Sequence, residues 1–79
     1  MINEKELLNL IQTSIKSKKK ITLKSNSDNT DGWDSLGQLS ILTSLDKKLN
    51  GKTSKLSSLA TADSIVKILK ILKSKRFLK

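Results

Sequence analysis

The stretch Asp31-Gly32-Trp33-Asp34-Ser35-Leu36-Gly37 decides how this chain is read. It joins a turn dipeptide, Asp31-Gly32, to the only tryptophan and to a serine standing where an amphipathic run begins. Before it the pattern gives a helix and a polar, basic loop; after it come helix, short connection and helix. A helix start leaves backbone N–H groups without partners and carries the positive end of the dipole, so it suits a phosphate ester. Two readings of Ser35 follow. Its hydroxyl is presented for a phosphate-linked group, or it is only a cap, since Gln38 three residues on completes an S-x-x-Q capping box.

Upstream, Asn3 with Glu6 makes a capping-type start, and Leu7, Leu8, Leu10, Ile11 and Ile15 recur at helical spacing. This predicts a first helix over residues 3–17 with one face toward a core. Residues 17–33 turn to Lys, Ser, Asn, Thr and Asp, with only Ile21 and Leu23 apolar before Trp33. That is a long loop, with Ile21 and Leu23 expected to pin it to the core. Asp28, Asp31 and Asp34 recur at every third position. An EF-hand uses alternate positions and ends in Glu, so no calcium loop is expected here.

Downstream, a second helix is predicted over residues 35–49, stopped by Asn50-Gly51. Leu42, Leu45 and Leu49 make its core stripe, with Ile41 beside them. Leu36 and Leu39, at the start, either widen that stripe or stand outside it. Gln38, Ser40, Thr43, Ser44, Asp46, Lys47 and Lys48 take the outward positions. The polar segment 52–58 leads to one short helical turn expected between Leu56 and Ala60. Thr61 is the expected cap of a last helix, with Asp63 in its first turn. Ile65, Val66, Ile68, Leu69 and Leu72 form its apolar face, and Lys67, Lys70 and Lys73 its wet side. Phe77 and Leu78 lie in a tail, residues 74–79, that either packs or frays.

Seventy-nine residues make one small domain, near the size at which a single core suffices. With no Cys and no His, and with carboxylates few and scattered, no nucleophile–base pair, disulfide framework or metal cluster is expected. The chain is therefore not expected to be an enzyme, and no catalytic or metal-ligating residue is assigned. No apolar run approaches the length of a membrane span. The first residues are polar and acidic where a signal peptide is basic and then apolar, so the expected location is the cytoplasm. The formal charge is +9. Lysines gather at Lys16 and Lys18 to Lys20, and again at Lys67, Lys70, Lys73, Lys75, Arg76 and Lys79. A small basic helical nucleic-acid-binding domain is the alternative that this charge suggests. Against it, the chain has one Arg, and no helix gathers Arg, Asn and Gln on one face, so no specific nucleic-acid target is expected.

Trp33-Asp34-Ser35-Leu36-Gly37-Gln38-Leu39 resembles the prosthetic-group site of acyl and peptidyl carrier proteins, with its Asp-Ser-Leu at the start of the second helix. The segment from Leu59 to Leu69 resembles the entry and body of that family's last helix, so the likeness spans nearly the whole chain. It implies an all-α four-helix bundle, three long helices and one short, with a long loop between the first two. It implies phosphopantetheine carried covalently on Ser35, attached from coenzyme A by a phosphopantetheinyl transferase, with Asp34 assisting the attachment. The arm would hold acyl or aminoacyl groups as thioesters for loading and transferring enzymes, which would meet Leu36 and Leu39; the domain itself would be a monomer. The outward face of the second helix departs from the family, which normally places several acids there; only Asp46 is acidic. This implies a specialised biosynthetic pathway, within lipid or fatty-acid chemistry in the broad sense.

Overall fold

The Asn3–Glu6 pairing forms as its spacing implies. The Asn3 side chain accepts from Glu6 N–H at 2.8 Å, and the Glu6 carboxylate accepts from Asn3 N–H at 3.3 Å. It opens α1, Glu4–Ser14; α2 is Ser35–Lys48 and α3 is Ile65–Ser74. The computed structural model describes residues 2–78. Met1, the tail lysine Lys79 and the side chains of Ser54 and Lys55 lie outside that description. Among the described residues the fold is all-helical, with no strand. Two isolated bridges, Ile2 to Leu78 and Asn26 to Ser64, fasten the ends of the segments.

All three helices stop by the same device. After the last helical turn one residue takes a left-handed conformation: Lys16 at φ 53°, Asn50 at 57° and Arg76 at 61°. Its N–H and that of the next residue then turn back to carbonyls of the last turn. These bonds are Lys16 to Thr13 and Ser17 to Gln12, Asn50 to Lys47 and Gly51 to Asp46, and Arg76 to Lys73 and Phe77 to Leu72. The device ends α1 at Ser14, short of the expected residue 17.

The caps of the other helices also differ from expectation. Ser35 is not the cap of α2: the Asp34 carboxylate accepts from Gly37 N–H at 2.9 Å, which makes Ser35 the first helical residue. Nor does Thr61 cap α3. It ends a 3-10 turn, Ser57–Thr61, which follows another, Lys52–Lys55, in place of the single turn expected. Ser64 accepts from Lys67 N–H and is the cap, so Asp63 precedes the helix rather than lying in its first turn.

Leu7, Ile11, Ile41, Leu45, Leu59, Ile65, Ile68 and Leu72 are fully or almost fully buried in one core. Burying such side chains contributes about 1.5–3 kcal/mol each. Ile21 is buried and does pin the first loop, but Leu23 stands exposed. Leu42 is only half-buried, because Gly37, Ile41 and Leu45 form the buried stripe of α2. Val66 is exposed, and Lys67, Lys70 and Lys73 stand on the wet side with it. Leu78 is buried and Phe77 half-buried, with Ile2 N–H donating to the Phe77 carbonyl at 3.2 Å.

Candidate functional site around Ser35

The start of α2 is held by three other parts of the chain. First comes the Asp31-Gly32 turn. Gly32 sits at φ 88°, where a Cβ would also approach the Ile15 carbonyl oxygen to 2.8 Å. A Cβ on Gly37 would run into the Gly32 carbonyl, so the first turn of α2 lies directly on that turn. Second is Trp33, 3% exposed, whose indole N–H donates to Gln38 Oε1 at 2.7 Å. Third is the approach to α3: Gln38 Nε2 donates to the Leu59 and Ala62 carbonyls, each at 3.0 Å.

Gln38 is thus half-buried and structural, not an outward residue and not part of a capping box. Sequence pattern alone missed this role; the signal for it is the neighbouring Trp, whose buried N–H needs an acceptor. Ser44 leaves the outward set as well, with its hydroxyl 2.8 Å from that of Ser14. The Asp46 carboxylate accepts from the Thr53 hydroxyl at 2.9 Å. The exposed face of α2 then consists of Ser40, Thr43, Lys47 and Lys48 beside two apolar residues, Leu36 and Leu39, which are 76% and 60% exposed. Neither leucine widens the core.

The first loop closes the site from the other side. Ser27 N–H donates to the Asp63 carbonyl at 2.9 Å, and Ile65 N–H donates to the Ser25 carbonyl at 3.0 Å. Within it Asn26 and Asn29 accept from each other's backbone N–H groups, and Asn26 also accepts from Asp28 N–H. The result is a cleft of about 640 Å³ with Asp34, Ser35, Gln38, Thr61 and Asp63 on its walls. The Asp63 carboxyl is held below its usual range, first by a hydrogen bond from the Lys67 ammonium at 2.8 Å and then by that group's charge.

Ser35 itself is exposed, and its hydroxyl makes no hydrogen bond among the described residues. The Asp34 carboxylate points back into the helix start as the cap. An exposed primary hydroxyl at a helix N-terminus, with an apolar pair one and four positions on, can accept a phosphodiester and present it beside an apolar patch. Among the described residues no three acids lie close enough to hold a metal ion, and no helix is long and apolar enough to cross a membrane. No family model, no curated protein and no solved structure matches this chain.

Proposed function

We propose that the chain is an acyl carrier protein that bears phosphopantetheine on Ser35. The observation that carries this reading is the placement of Ser35: first residue of α2, exposed, relieved of capping by Asp34, and on the wall of an open cleft. The finer fold assignment belongs to the same proposal. The two 3-10 turns between α2 and α3 stand for the short helix of the carrier-type four-helix bundle.

In the attachment step the Ser35 hydroxyl oxygen attacks the pantetheine-bound phosphorus of coenzyme A and loses its proton to the transferase. The P–O bond of the diphosphate breaks, and 3′,5′-adenosine diphosphate leaves. Asp34, which caps α2, would stand next to a phosphodiester on Ser35, and the helix N-terminus would offset part of the unfavourable charge. Once attached, the arm would supply the thiol that the chain lacks, and with it the capacity to carry an acyl group. The protein's own work is delivery, by raising the cargo's effective concentration at each enzyme it visits. Leu36 and Leu39 supply apolar contact there.

Intact mass after incubation with coenzyme A and a broad-specificity phosphopantetheinyl transferase tests the reading. A single phosphopantetheine adduct is expected on the wild type and none on Ser35→Ala. The rival, a basic nucleic-acid-binding domain, draws on the charge of +9. Absence of the adduct together with sequence-selective duplex binding tighter than about micromolar would establish it instead.

A further inference from the structure

A second concavity, of about 660 Å³, opens on the first loop and lies apart from the Ser35 cleft. Five lysines, Lys16, Lys18, Lys19, Lys20 and Lys24, line it against one carboxylate, Asp31. All five are exposed, and none belongs to an ion pair; the pairs among the described residues are Lys48–Glu6 and Lys67–Asp63. Gathering five like charges around one hollow is unfavourable in the free protein and favourable once an opposite surface is present.

From this we infer that the lysine-lined hollow is the docking site for a carboxylate-rich segment of a partner enzyme. It rests on the carrier reading and moves the electrostatic part of partner recognition from α2 to the first loop. The exposed face of α2 offers far less charge for that work, since Asp46 is bonded to Thr53, Lys48 is paired with Glu6, and Lys47 is what is left. A partner for this protein therefore needs acidic groups, and the loop is where unpaired positive charge is concave and concentrated.

The loop's own hydrogen bonding favours a peptide over a small phosphate. Compact phosphates are held by converging backbone N–H groups. Here the N–H groups of Lys19, Ile21, Thr22 and Lys24 are already taken up by the side chains of Ser17, Gln12, Ser25 and Thr22. The five ammonium groups are point charges on long, flexible stems, which can follow carboxylates spread along a chain. The hollow is also coupled to the attachment site. Gly32 lines it, and the first turn of α2 lies against the Gly32 carbonyl. A partner that grips the loop thereby fixes where Ser35 points.

The test is an NMR titration of the unmodified full chain with an alternating Glu-Gly peptide. Shift changes confined to residues 16–32 are expected. The triple variant Lys18→Glu, Lys19→Glu, Lys20→Glu should weaken binding about tenfold or more, while Lys70→Glu, Lys73→Glu, Lys75→Glu, of equal charge change, should weaken it less than about threefold. Signal dispersion reports that each variant is folded, and Lys24→Glu alone should weaken binding by a smaller factor. Equal loss in both triple variants, shifts spread along α3, or displacement of the peptide by pyrophosphate at lower concentration would each overturn the proposal. So would tighter binding of a DNA duplex to the same loop. The mass of Ser35 after transferase treatment reports separately. A modified protein whose loop ignores the peptide overturns the docking site alone, whereas loop binding without modification supports the site and overturns the carrier reading.

Discussion

Trp33 and Gln38 form one unit: the indole N–H donates at 2.7 Å to an amide whose other end donates to the carbonyls of Leu59 and Ala62. A single side chain thereby ties the first loop, α2 and the approach to α3 at the level of Ser35. Both ends of the amide are needed, one as acceptor and one as donor.

Replacing Gln38 by Glu keeps the acceptor for the indole but sets a carboxylate against two carbonyl oxygens. Replacing it by Met leaves the indole and both carbonyls short. Each change is expected to cost about 1–3 kcal/mol, with Glu at least as costly as Met. Urea unfolding followed by Trp33 fluorescence measures it. A Gln38→Glu protein as stable as wild type would mean that the bonds to Leu59 and Ala62 contribute nothing.

Gly37→Ala separates helix propensity from packing. Propensity alone favours Ala over Gly within a helix by about 1 kcal/mol. The Gly32 carbonyl occupies the space a Cβ needs, so the turn must shift, at a cost of about 1–3 kcal/mol for overpacking. A net loss of stability is expected. A rise in melting temperature would show that the Gly32 turn yields freely, and that the loop and Ser35 are not rigidly joined.

Much of the fold is legible in the residue pattern, because the periodic apolar positions Leu7, Ile11, Leu45, Ile65, Ile68 and Leu72 all reach the core. The α2 stop at Asn50-Gly51 is equally legible, since these residues tolerate the left-handed turn. The stop of α1 is not. Lys16 is a good helix former, and nothing local announces that it will take a left-handed conformation. The residue before it, Ile15, lies beside Gly32 and Gly37, a tertiary contact that the local pattern does not show. At the candidate site, Ser35 and the exposed leucines can be picked out from the motif. The division of labour between Asp34 and Ser35 cannot, because both residue types cap helices well and only the backbone shows which one stands outside the helix.

The same device yields a stabilising change. Arg76 holds a left-handed conformation at the end of α3, which a side chain with a Cβ disfavours by about 1–2 kcal/mol. Arg76→Gly removes that strain and gives back part of it through the freer unfolded chain. A gain of about 0.5–1 kcal/mol is expected, read as a rise in melting temperature. A loss would mean that the aliphatic stem of Arg76 covers apolar surface beside Phe77.

Asp34 and Ser35 should separate stability from modification. The Asp34 carboxylate accepts from Gly37 N–H, so Asp34→Ala removes the cap of α2 and is expected to cost about 1 kcal/mol. Ser35→Ala removes a hydroxyl that bonds to nothing among the described residues and should leave the unfolding midpoint within experimental error. Phosphopantetheinylation should run the other way: abolished in Ser35→Ala, and slowed but retained in Asp34→Asn, whose amide oxygen still caps the helix while the charge is gone. Measuring both variants by denaturation and by intact mass makes the contrast decisive. A destabilised Ser35→Ala would return the serine to a capping role. An adduct that persists on that variant would place the attachment on another serine and remove Ser35 from the site.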